Sequence, residues 1–520
     1  MRKKRIVKIS IFTFILLIGW IGVRSVLQLH KDSAWNIRGM EKVRNRPNYY
    51  DVLISGTSMS ITNVSAEELY LKYGIASVSV GEPEQLVFLS YYSLEEALKY
   101  QNPKVVLFDV QALLYSEDRQ EALLSNEDYA AHYTLDSIKG MKTKYDAVTQ
   151  IKKYKSSSTY WDYFSKMYHY HSNWENITKN NFKLVQGKEL MLENKNLLGM
   201  YESNPDKEYV SEKDNSNEKI EITEENRRYV EKIAALCKKK GVELILIRSY
   251  GSYYWSWQEY NTVKEIADEL DVDYLDLALY EEQIGFQWAT DTHDRVHHNV
   301  VGTKKWTDYL GKYLCSKYKF VDRRVEKAYI EYENQKEKYD DIVKVMEQKI
   351  ALIRAINLNQ YLDTLLNLEK EENTIFISVS DEASNKLSDN SQNILKSIGF
   401  NVNLKDQYGI SYYGVMDEGK IIAENSSQNG GHANGKLNDN TEFEISSGGS
   451  NSEQSASIII SGQEYIQGGR GLNIVVYNKK NKEILSSVFF DTYSEENPNT
   501  ARINASGIIE KEELLNYWVS

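Results

Sequence analysis

The stretch that decides the fold is residues 50–60, which read Tyr50-Asp51-Val52-Leu53-Ile54-Ser55-Gly56-Thr57-Ser58-Met59-Ser60. Three consecutive apolar residues followed by a turn of small residues predict a buried strand that ends at the turn. In an open parallel α/β sheet, ligands and reacting groups lie at the carboxyl ends of the strands. Ser58 is therefore a candidate nucleophile, although a serine that only caps the next helix would leave the same pattern.

Residues 41–320 continue this alternation of apolar runs and helical periods, which predicts an α/β domain with a parallel sheet. Strands are predicted at residues 52–54, 76–80, 105–110, 244–247 and 274–277, and helices at residues 66–73, 93–100, 224–240, 260–270 and 302–318. The polar, tyrosine-rich span 115–222 does not follow the alternation. We interpret it as a mostly helical insertion over the strand ends, where insertions commonly shape a substrate site.

A second polar segment, just before the last predicted helix of this domain, reads Asp294-Arg295-Val296-His297-His298-Asn299. A serine that transfers an acyl group needs a base to take its proton and a group that orients the base. His297 is the candidate base and Asp294 its candidate partner, since this spacing lets both face one way on a helical turn. A single histidine is usually a core or surface residue, but Asp-x-x-His-x-Asn before a helix is more specific.

Three segments together, Gly56-Thr57-Ser58, Gly81-Glu82-Pro83-Glu84-Gln85 and residues 294–299, resemble the SGNH/GDSL hydrolase superfamily. The resemblance is to its membrane-anchored, cell-surface branch, which includes alginate-type O-acetyltransferases and the D-alanyl transfer protein of teichoic acid modification. It covers about residues 45–320 and implies a three-layer, flavodoxin-like fold. It also implies Ser58 as nucleophile, His297 as base, Asp294 as its partner, and the backbone amides of Ser58 and Gly81 as oxyanion donors.

Two departures from the superfamily pattern stand out. Thr57 occupies the position where the name of the superfamily implies Asp, and the third predicted strand ends in Asp109-Val110-Gln111 rather than in a Gly-x-Asn-Asp block. The missing Asn would be one oxyanion donor, worth about 3 kcal/mol. Gln85 is the alternative donor in this sequence. The departure leaves acyl transfer open and argues against a fast general esterase.

The N-terminus predicts a membrane anchor. Residues 2–5 are Arg-Lys-Lys-Arg, and residues 9–23 are uncharged and mostly apolar. With Lys8 and Arg24 reaching the headgroups, the span extends to about 20 residues. Because no small-residue cleavage site follows, we expect an uncleaved signal-anchor within residues 1–30. The basic cluster then keeps the N-terminus cytoplasmic and the bulk of this single-pass protein outside the cell membrane, facing wall or exported glycans.

The remainder of the chain predicts a helical connector and a second module. Residues 321–372 are densely charged, with apolar residues at helical spacing. Residues 373–520 predict strands at 374–379, 457–460, 472–477 and 485–490, together with a helix that Ser380 caps and that ends at Gly399. The Asn-, Ser- and Gly-rich residues 425–453 are interpreted as a flexible loop.

Two segments of this module, Gly468-Gly469-Arg470-Gly471-Leu472-Asn473-Ile474-Val475-Val476 and Phe490-Asp491-Thr492-Tyr493, resemble the interleukin-like EMT inducer (ILEI/PANDER) domain. The resemblance implies an α+β fold and a lectin-like role, with Arg470 and Asp491 as candidate glycan-binding residues. The alternative is a tight turn in which Arg470 is solvated or forms a structural ion pair with Asp491.

Two functions remain open at this point. The first is a serine acyltransferase or esterase that adds or removes an acyl group, acetyl by the resemblance, on an extracellular polysaccharide or wall glycan. A transferase would take the group from a membrane-bound acyl exporter. The second is a non-catalytic glycan-binding or assembly protein with a vestigial site. A net charge of -12 argues against nucleic acid as a partner. No cluster of ligands predicts a metal, and the serine mechanism needs neither a metal nor a cofactor.

Overall fold

The computed structural model describes residues 2–27, 35–125, 128–165, 170, 174–175, 177, 217–249, 255–293, 296–355, 357–452, 455–466, 469–493 and 501–504. The chain divides at Asp340 and Asp341 into two compact units, which are described separately. The first unit carries the candidate active site. Its boundary lies inside the segment 321–372 that was predicted as a connector.

A five-stranded parallel sheet forms the centre of the first unit. The strands run in the spatial order β2-β1-β3-β4-β5. This confirms the predicted α/β class and parallel sheet, because each strand lies where an apolar run predicted one. The strands are β1 (Val52–Ser55), β2 (Ser77–Ser79), β3 (Val105–Asp109), β4 (Glu243–Arg248) and β5 (Asp273–Asp276).

Fourteen α-helices belong to the described part of the first unit before its last, boundary-crossing helix. They are α1 (Arg2–Leu27), α2 (Trp35–Asn45), α3 (Met59–Thr62), α4 (Ala66–Tyr73), α5 (Val87–Ala97), α6 (Glu117–Ser125), α7 (Tyr129–Ser137), α8 (Met141–Tyr154), α9 (Tyr160–Phe164), α10 (Glu224–Lys240), α11 (Trp257–Leu270), α12 (Glu281–Ile284), α13 (Trp288–Asp291) and α14 (Val300–Lys317). Short 3₁₀ turns lie at Gln111–Leu114, Leu277–Leu279, Arg323–Val325 and Lys327–Tyr329.

Most helix predictions match these bounds, and one is wrong. The helix predicted at residues 93–100 is α5, which begins six residues earlier, after the extended Leu86, and stops at Ala97. The prediction missed its first turns because Val87, Phe88 and Leu89 are all buried, so the apolar pattern there has no helical period. The predicted insertion contains helices α6 to α9, and residues 178–216 of it lie outside the described residues.

The N-terminal basic and apolar run forms α1, but the predicted signal-anchor is not supported. In the part of the chain that the structure describes, no helix combines the length and the apolar character needed to cross a bilayer.

The core of the first unit lies on both faces of the sheet. Leu53, Val106 and Phe108 pack into one apolar cluster, whereas Ile54 and Leu107 pack into a second. Successive side chains of a strand point to opposite faces, so a strand covered on both sides has to be apolar throughout. Each such side chain, fully buried, contributes roughly 1.5–3 kcal/mol. This explains why β1 and β3 are continuous apolar runs.

The second unit contains a separate, mixed sheet of ten strands. Its main path is β12-β11-β10-β6-β13-β14-β15, while β7 pairs with β6 and β8, and β9 pairs with β10. The strands are β6 (Asn373–Asp381), β7 (Ser411–Asp417), β8 (Lys420–Ser427), β9 (Gly431–Lys436), β10 (Glu442–Gly449), β11 (Ser457–Ile460), β12 (Gln463–Glu464), β13 (Gly471–Asn478), β14 (Glu483–Phe490) and β15 (Ala501–Asn504).

Three further helices complete the chain: α15 (Ile330–Arg354), which contains the boundary between the units, α16 (Leu358–Asn367) and α17 (Asp389–Ile398). The segment predicted as a connector is thus helical. Two local predictions for the second unit are wrong. Ser380 lies in strand β6, and the residue that caps α17 is Ser388, whose side chain accepts a hydrogen bond from Ser391 N–H.

The loop predicted at residues 425–453 is the second error, because this segment includes the end of β8 and all of β9 and β10. Strands β8 and β9 are exposed or half-buried at nearly every position. A strand that buries neither face needs few apolar residues, so its sequence lacks the alternation that predicts a strand. Backbone pairing with β7 and β10 defines these strands instead.

Candidate active site

Ser58 lies at a strand-to-helix turn at the carboxyl end of β1. Gly56 follows the strand with a φ of +134°, and Ser58 has helical dihedral angles immediately before α3. A Cβ atom at residue 56 would lie 2.6 Å from Asp109 Cβ and 3.0 Å from the Asp109 carbonyl oxygen. Only glycine therefore suits this turn, for space as well as for backbone conformation. The small residues of the sequence motif thus allow the tight turn, packed against Asp109 of β3, that leads to Ser58.

The structure brings His297 to Ser58. The Nε2 atom of His297 lies 2.8 Å from Ser58 Oγ, across 239 positions of the chain. Ser58 is 7% exposed and His297 is half-buried. This distance and this pair of atoms allow direct proton transfer between the two side chains. Asp294, the predicted third member, lies outside the described residues.

Asn63 holds the histidine segment against the turn of Ser58. This fully buried residue ends α3, and its Oδ1 atom accepts a hydrogen bond from His298 N–H at 3.0 Å. Its Nδ2 atom donates to the carbonyl oxygens of Ser249 at 2.9 Å and Val296 at 3.3 Å. One carboxamide thus links α3, the end of β4 and the residues on both sides of His297. Sequence analysis missed Asn63, because a single Asn two residues after Ile61 forms no recognisable motif.

Asn299 fixes the start of the helix that follows His297. Its Oδ1 atom accepts hydrogen bonds from Val301 N–H at 3.0 Å and Gly302 N–H at 3.2 Å, as in a standard N-cap. The Asn299 Nδ2 atom donates to the Thr290 carbonyl oxygen at 2.7 Å, and the Asn299 backbone N–H donates to the Asp291 carbonyl oxygen at 3.0 Å. The Asn of the Asp-x-x-His-x-Asn pattern therefore ties α14 to α13.

Three polar side chains close to His297 in the chain, those of His298, His293 and Asp291, are buried. His298 is fully buried and its ring lies 4.7 Å from that of Phe286, whereas His293 is 5% exposed. Asp291 is also fully buried, and it accepts a hydrogen bond from Gln287 N–H and pairs with Lys305 at 2.7 Å. Polar residues at a short turn are usually exposed, but here the segment lies between α13 and α14 and its side chains are buried.

Asp109 and Gln111, which stand where the superfamily pattern has an Asn block, contact the residue before Ser58. Thr57 donates to Asp109 Oδ2 through its N–H at 3.0 Å and through its hydroxyl at 2.6 Å, and the hydroxyl also lies 2.6 Å from Gln111 Oε1. Asp109 is fully buried, which raises its pKa to about 6 in spite of these bonds and of Arg248. An Asp at position 57 would set two carboxylates together, which accounts for Thr57.

The predicted oxyanion donors differ in what surrounds them. Among the described residues, no group accepts a hydrogen bond from the N–H of Ser58, which leaves it available at the turn. The N–H of Gly81 donates to Ser79 Oγ at 3.2 Å. Gln85 donates to Thr134 Oγ1 at 2.7 Å and accepts from Ser90 Oγ at 2.9 Å. The described contacts of Gln85 thus tie α5 and α7 together and do not include Ser58.

The candidate glycan-binding residues of the second unit form an ion pair. Arg470 donates from Nε to Asp491 Oδ1 at 3.1 Å and from Nη2 to Oδ2 at 2.9 Å. The guanidinium also lies 4.5 Å from the centre of the Tyr493 ring. Gly471 has a φ of +105° and turns the chain into β13. This bidentate pair matches the structural alternative, and both partners stay partly exposed.

No family model matches this chain, and no curated protein matches it either. Within the described residues, no three His, Cys, Asp or Glu side chains are arranged to hold a metal ion. The functional reading therefore depends on the geometry around Ser58.

Proposed function

We propose that this protein is a serine acyltransferase or esterase of the SGNH type, which moves or removes a small acyl group on an exported glycan. Acetyl is the first candidate for this group. The observation that carries the proposal is the 2.8 Å contact between Ser58 Oγ and His297 Nε2. A turn at the carboxyl end of a central strand is where an open parallel sheet presents its reacting groups. The strand order 2-1-3-4-5 is the flavodoxin-like order, which agrees with the resemblance of residues 45–320.

The reaction runs in two steps. Ser58 Oγ attacks the acyl carbonyl carbon while its proton passes to His297 Nε2, and the negative charge that develops on the carbonyl oxygen is stabilised by Ser58 N–H. Collapse of this intermediate releases the leaving group, which takes the proton from His297. In the second step a sugar hydroxyl or water gives its proton to His297 and attacks the acyl carbon of the acyl-Ser58 ester. The bond between the acyl carbon and Ser58 Oγ then breaks, and His297 returns the proton to Oγ. Asp294 is assigned the orienting role by the sequence pattern.

The acceptor, the partners and the location belong to the same proposal. A glycan acceptor, a membrane-bound acyl exporter as donor and residence at the cell surface follow from the resemblance and from the basic and apolar runs of residues 2–23. The second unit is assigned an ILEI/PANDER-like, carbohydrate-binding role on the same ground. Cell fractionation of the full chain tests the location, and recovery in the fraction without membranes would contradict it.

A second candidate function is a glycan-binding or assembly protein that lacks turnover. The observation in its favour is the oxyanion side of the site, since Gly81 N–H faces Ser79 and the Gln85 carboxamide binds Thr134 and Ser90. Loss of one donor in such a site lowers the rate by about 100- to 1,000-fold. A protein with only the Ser58 N–H would thus be slow or inactive.

The two candidates are separated by labelling residues 30–520 with a fluorophosphonate probe and by offering an acetylated chromogenic ester. The enzyme is expected to label once, at Ser58, and Ser58→Ala is expected to abolish labelling without loss of fold. His297→Ala should lower turnover by at least 100-fold, because no other base reaches the hydroxyl within the described residues. Absence of labelling in a folded, glycan-binding protein would favour the second candidate. Adding a glycan acceptor distinguishes transfer from hydrolysis.

A further inference from the structure

A group of charged residues lies at the carboxyl ends of the parallel strands, and one of them, Asp109, contacts the turn of Ser58. Asp109 is the last residue of β3 and Arg248 the last residue of β4. Both are fully buried, with 0% accessible surface. Burial raises the pKa of the Asp109 carboxyl, and the hydrogen bonds from Thr57 and Gln111, followed by the charge of the Arg248 guanidinium, oppose this rise. Arg248 is itself held by Glu259 of α11 and lies 3.8 Å from Asp276 of β5.

The Asp109 carboxylate accepts hydrogen bonds from two residues, and two of its three bonds come from Thr57. Asp109 Oδ2 accepts both donors of Thr57, the backbone N–H and the hydroxyl, and Oδ1 accepts the backbone N–H of Gln111. Hydrogen bonds to an ionised acceptor are about twice as strong as those between neutral groups. The backbone of Thr57 leads directly into Ser58, so the two bonds restrict the rotations that would move Ser58 Oγ away from His297.

We propose that Asp109 is a positioning residue for Ser58, which in its ionised form holds Thr57 and so keeps the Ser58 hydroxyl within reach of His297. The charge of Arg248 also favours the ionised carboxyl, to a smaller extent than the hydrogen bonds from Thr57 and Gln111. This inference rests on the proposed function of Ser58 as a nucleophile. It goes beyond that proposal because it assigns the Asp109-Val110-Gln111 strand end, which departs from the superfamily pattern, a defined part in the site.

The expected pH dependence follows from the groups that face Asp109. These are Thr57 from the turn after β1, Gln111 after β3, and Arg248 from β4 with its partners Glu259 and Asp276. The pKa of Asp109 is raised to about 6, so the carboxylate is present above that pH and is protonated as the pH falls through it. A protonated Asp109 loses the charge that strengthens both bonds to Thr57.

The first test compares fluorophosphonate labelling rates of the wild-type chain and Asp109→Asn between pH 5 and pH 8. Asparagine keeps the shape and cannot be ionised. Above pH 7 we expect wild type to label at least about tenfold faster, and the ratio of the two rates should fall toward one below pH 5.5. Any effect of pH that the two proteins share cancels in the ratio. A ratio that stays constant with pH, whatever its size, would overturn the proposal.

The second test does not depend on catalysis. The ¹⁵N chemical shift of His297 Nε2 is measured at pH 8 in wild type, Ser58→Ala, Asp109→Asn and the double variant. Ser58→Ala should change the shift in the wild-type background and leave it nearly unchanged in the Asp109→Asn background. If wild type does not label but this loss of coupling is seen, the proposed activity fails and the positioning role stands. An equal change in both backgrounds would overturn the positioning role.

Further variants keep the test decisive if Asp109→Asn does not fold. Thr57→Val removes the hydroxyl donor and should slow labelling, while Thr57→Ser restores the donor and should recover most of the rate. Equal rates for the two Thr57 variants would contradict the proposal. Asp417→Asn is the control, because it removes another fully buried carboxylate from the second unit. It is expected to leave labelling unchanged.

Discussion

At the scale of single residues, the site depends on buried polar side chains whose importance lies in what they connect. Asn63 makes hydrogen bonds to three residues outside its own helix, Ser249, Val296 and His298, and Asp109 accepts hydrogen bonds from Thr57 and Gln111. A buried donor or acceptor that loses its partner costs about 1–3 kcal/mol. Substitution of such a connecting residue therefore lowers stability and moves the reacting groups at the same time.

Asn63→Ala is expected to lower the free energy of unfolding by about 2–4 kcal/mol, since several buried partners lose their bonds together. It should also abolish labelling of Ser58 in the fraction that still folds. Urea unfolding and probe labelling measure the two effects. Asn261→Ala, which removes one exposed bond to the Glu218 carbonyl oxygen, is the control and should change neither. Unchanged labelling in folded Asn63→Ala would contradict the role of Asn63.

Glu82, next to Gly81, predicts a pH dependence of stability. Its side chain is fully buried, and burial raises its pKa to about 8 from a usual value of 4.5, partly offset by the hydrogen bond from Asn36 N–H. The folded protein thus retains a proton up to about pH 8 that the unfolded chain releases near pH 4.5. Stability is lost as the pH rises through this range.

Glu82→Gln should remove this loss. Relative to wild type, the free energy of unfolding of the variant is expected to increase by at most about 4 kcal/mol between pH 5 and pH 8. Denaturant unfolding at both pH values provides the measurement. The control is Glu265→Gln, an exposed position, which should show no such change. A difference between wild type and Glu82→Gln that is the same at both pH values would refute the prediction.

At the scale of secondary-structure elements, α14 positions His297 through its first turn. Asn299 caps the helix, and the helix packs so closely on α13 that a Cβ atom at Gly302 would lie 2.0 Å from the Asp291 carbonyl oxygen. A second glycine of the same helix, Gly311, faces the ring of Tyr73, where a Cβ atom would meet Cε2 at 2.3 Å. The two glycines allow close packing at two separate positions along α14, but only the first adjoins the site.

This contrast makes a matched pair of variants. Gly302→Ala should force α14 away from α13 and reduce Ser58 labelling by at least tenfold. The new Cβ atom would meet the backbone carbonyl oxygen of Asp291, which cannot move aside as a side chain can. Gly311→Ala should lower stability by a similar 1–3 kcal/mol with a much smaller effect on labelling, since the Tyr73 ring can move. Thermal unfolding and labelling rates of both variants provide the comparison. Equal loss of labelling in the two would show that α14 does not position His297.

At the scale of the whole molecule, the chain has two cores, and no residue belongs to both of them. Apolar clusters on the two faces of the parallel sheet belong to the first unit, and those on the two faces of the mixed sheet belong to the second. The members of the candidate site that the structure describes all lie in the first unit. A domain with its own core can in principle fold alone.

Residues 35–340 are therefore expected to fold without the second unit and to label at Ser58 at a rate within about threefold of the longer chain. Circular dichroism and probe labelling test this on residues 35–340 and 35–520 side by side. Retained fold with lost labelling would mean that the second unit takes part in the reaction. Loss of the fold would contradict the independence of the first core.

The amino-acid sequence by itself located the five parallel strands, most clearly β1, β3 and β4, which are buried on both faces and therefore read as runs of apolar residues. It also determined Ser58 and His297 as candidates, since a turn of small residues and a histidine before a helix are local patterns. Strands β8 and β9, and the burial of His298, were not predictable, because backbone pairing and enclosure by α13 and α14 depend on distant residues. Only the tertiary structure brought Asp109, Arg248 and Asn63 to the turn of Ser58, because hydrogen bonds between residues that are distant in the chain leave no periodic pattern in the sequence.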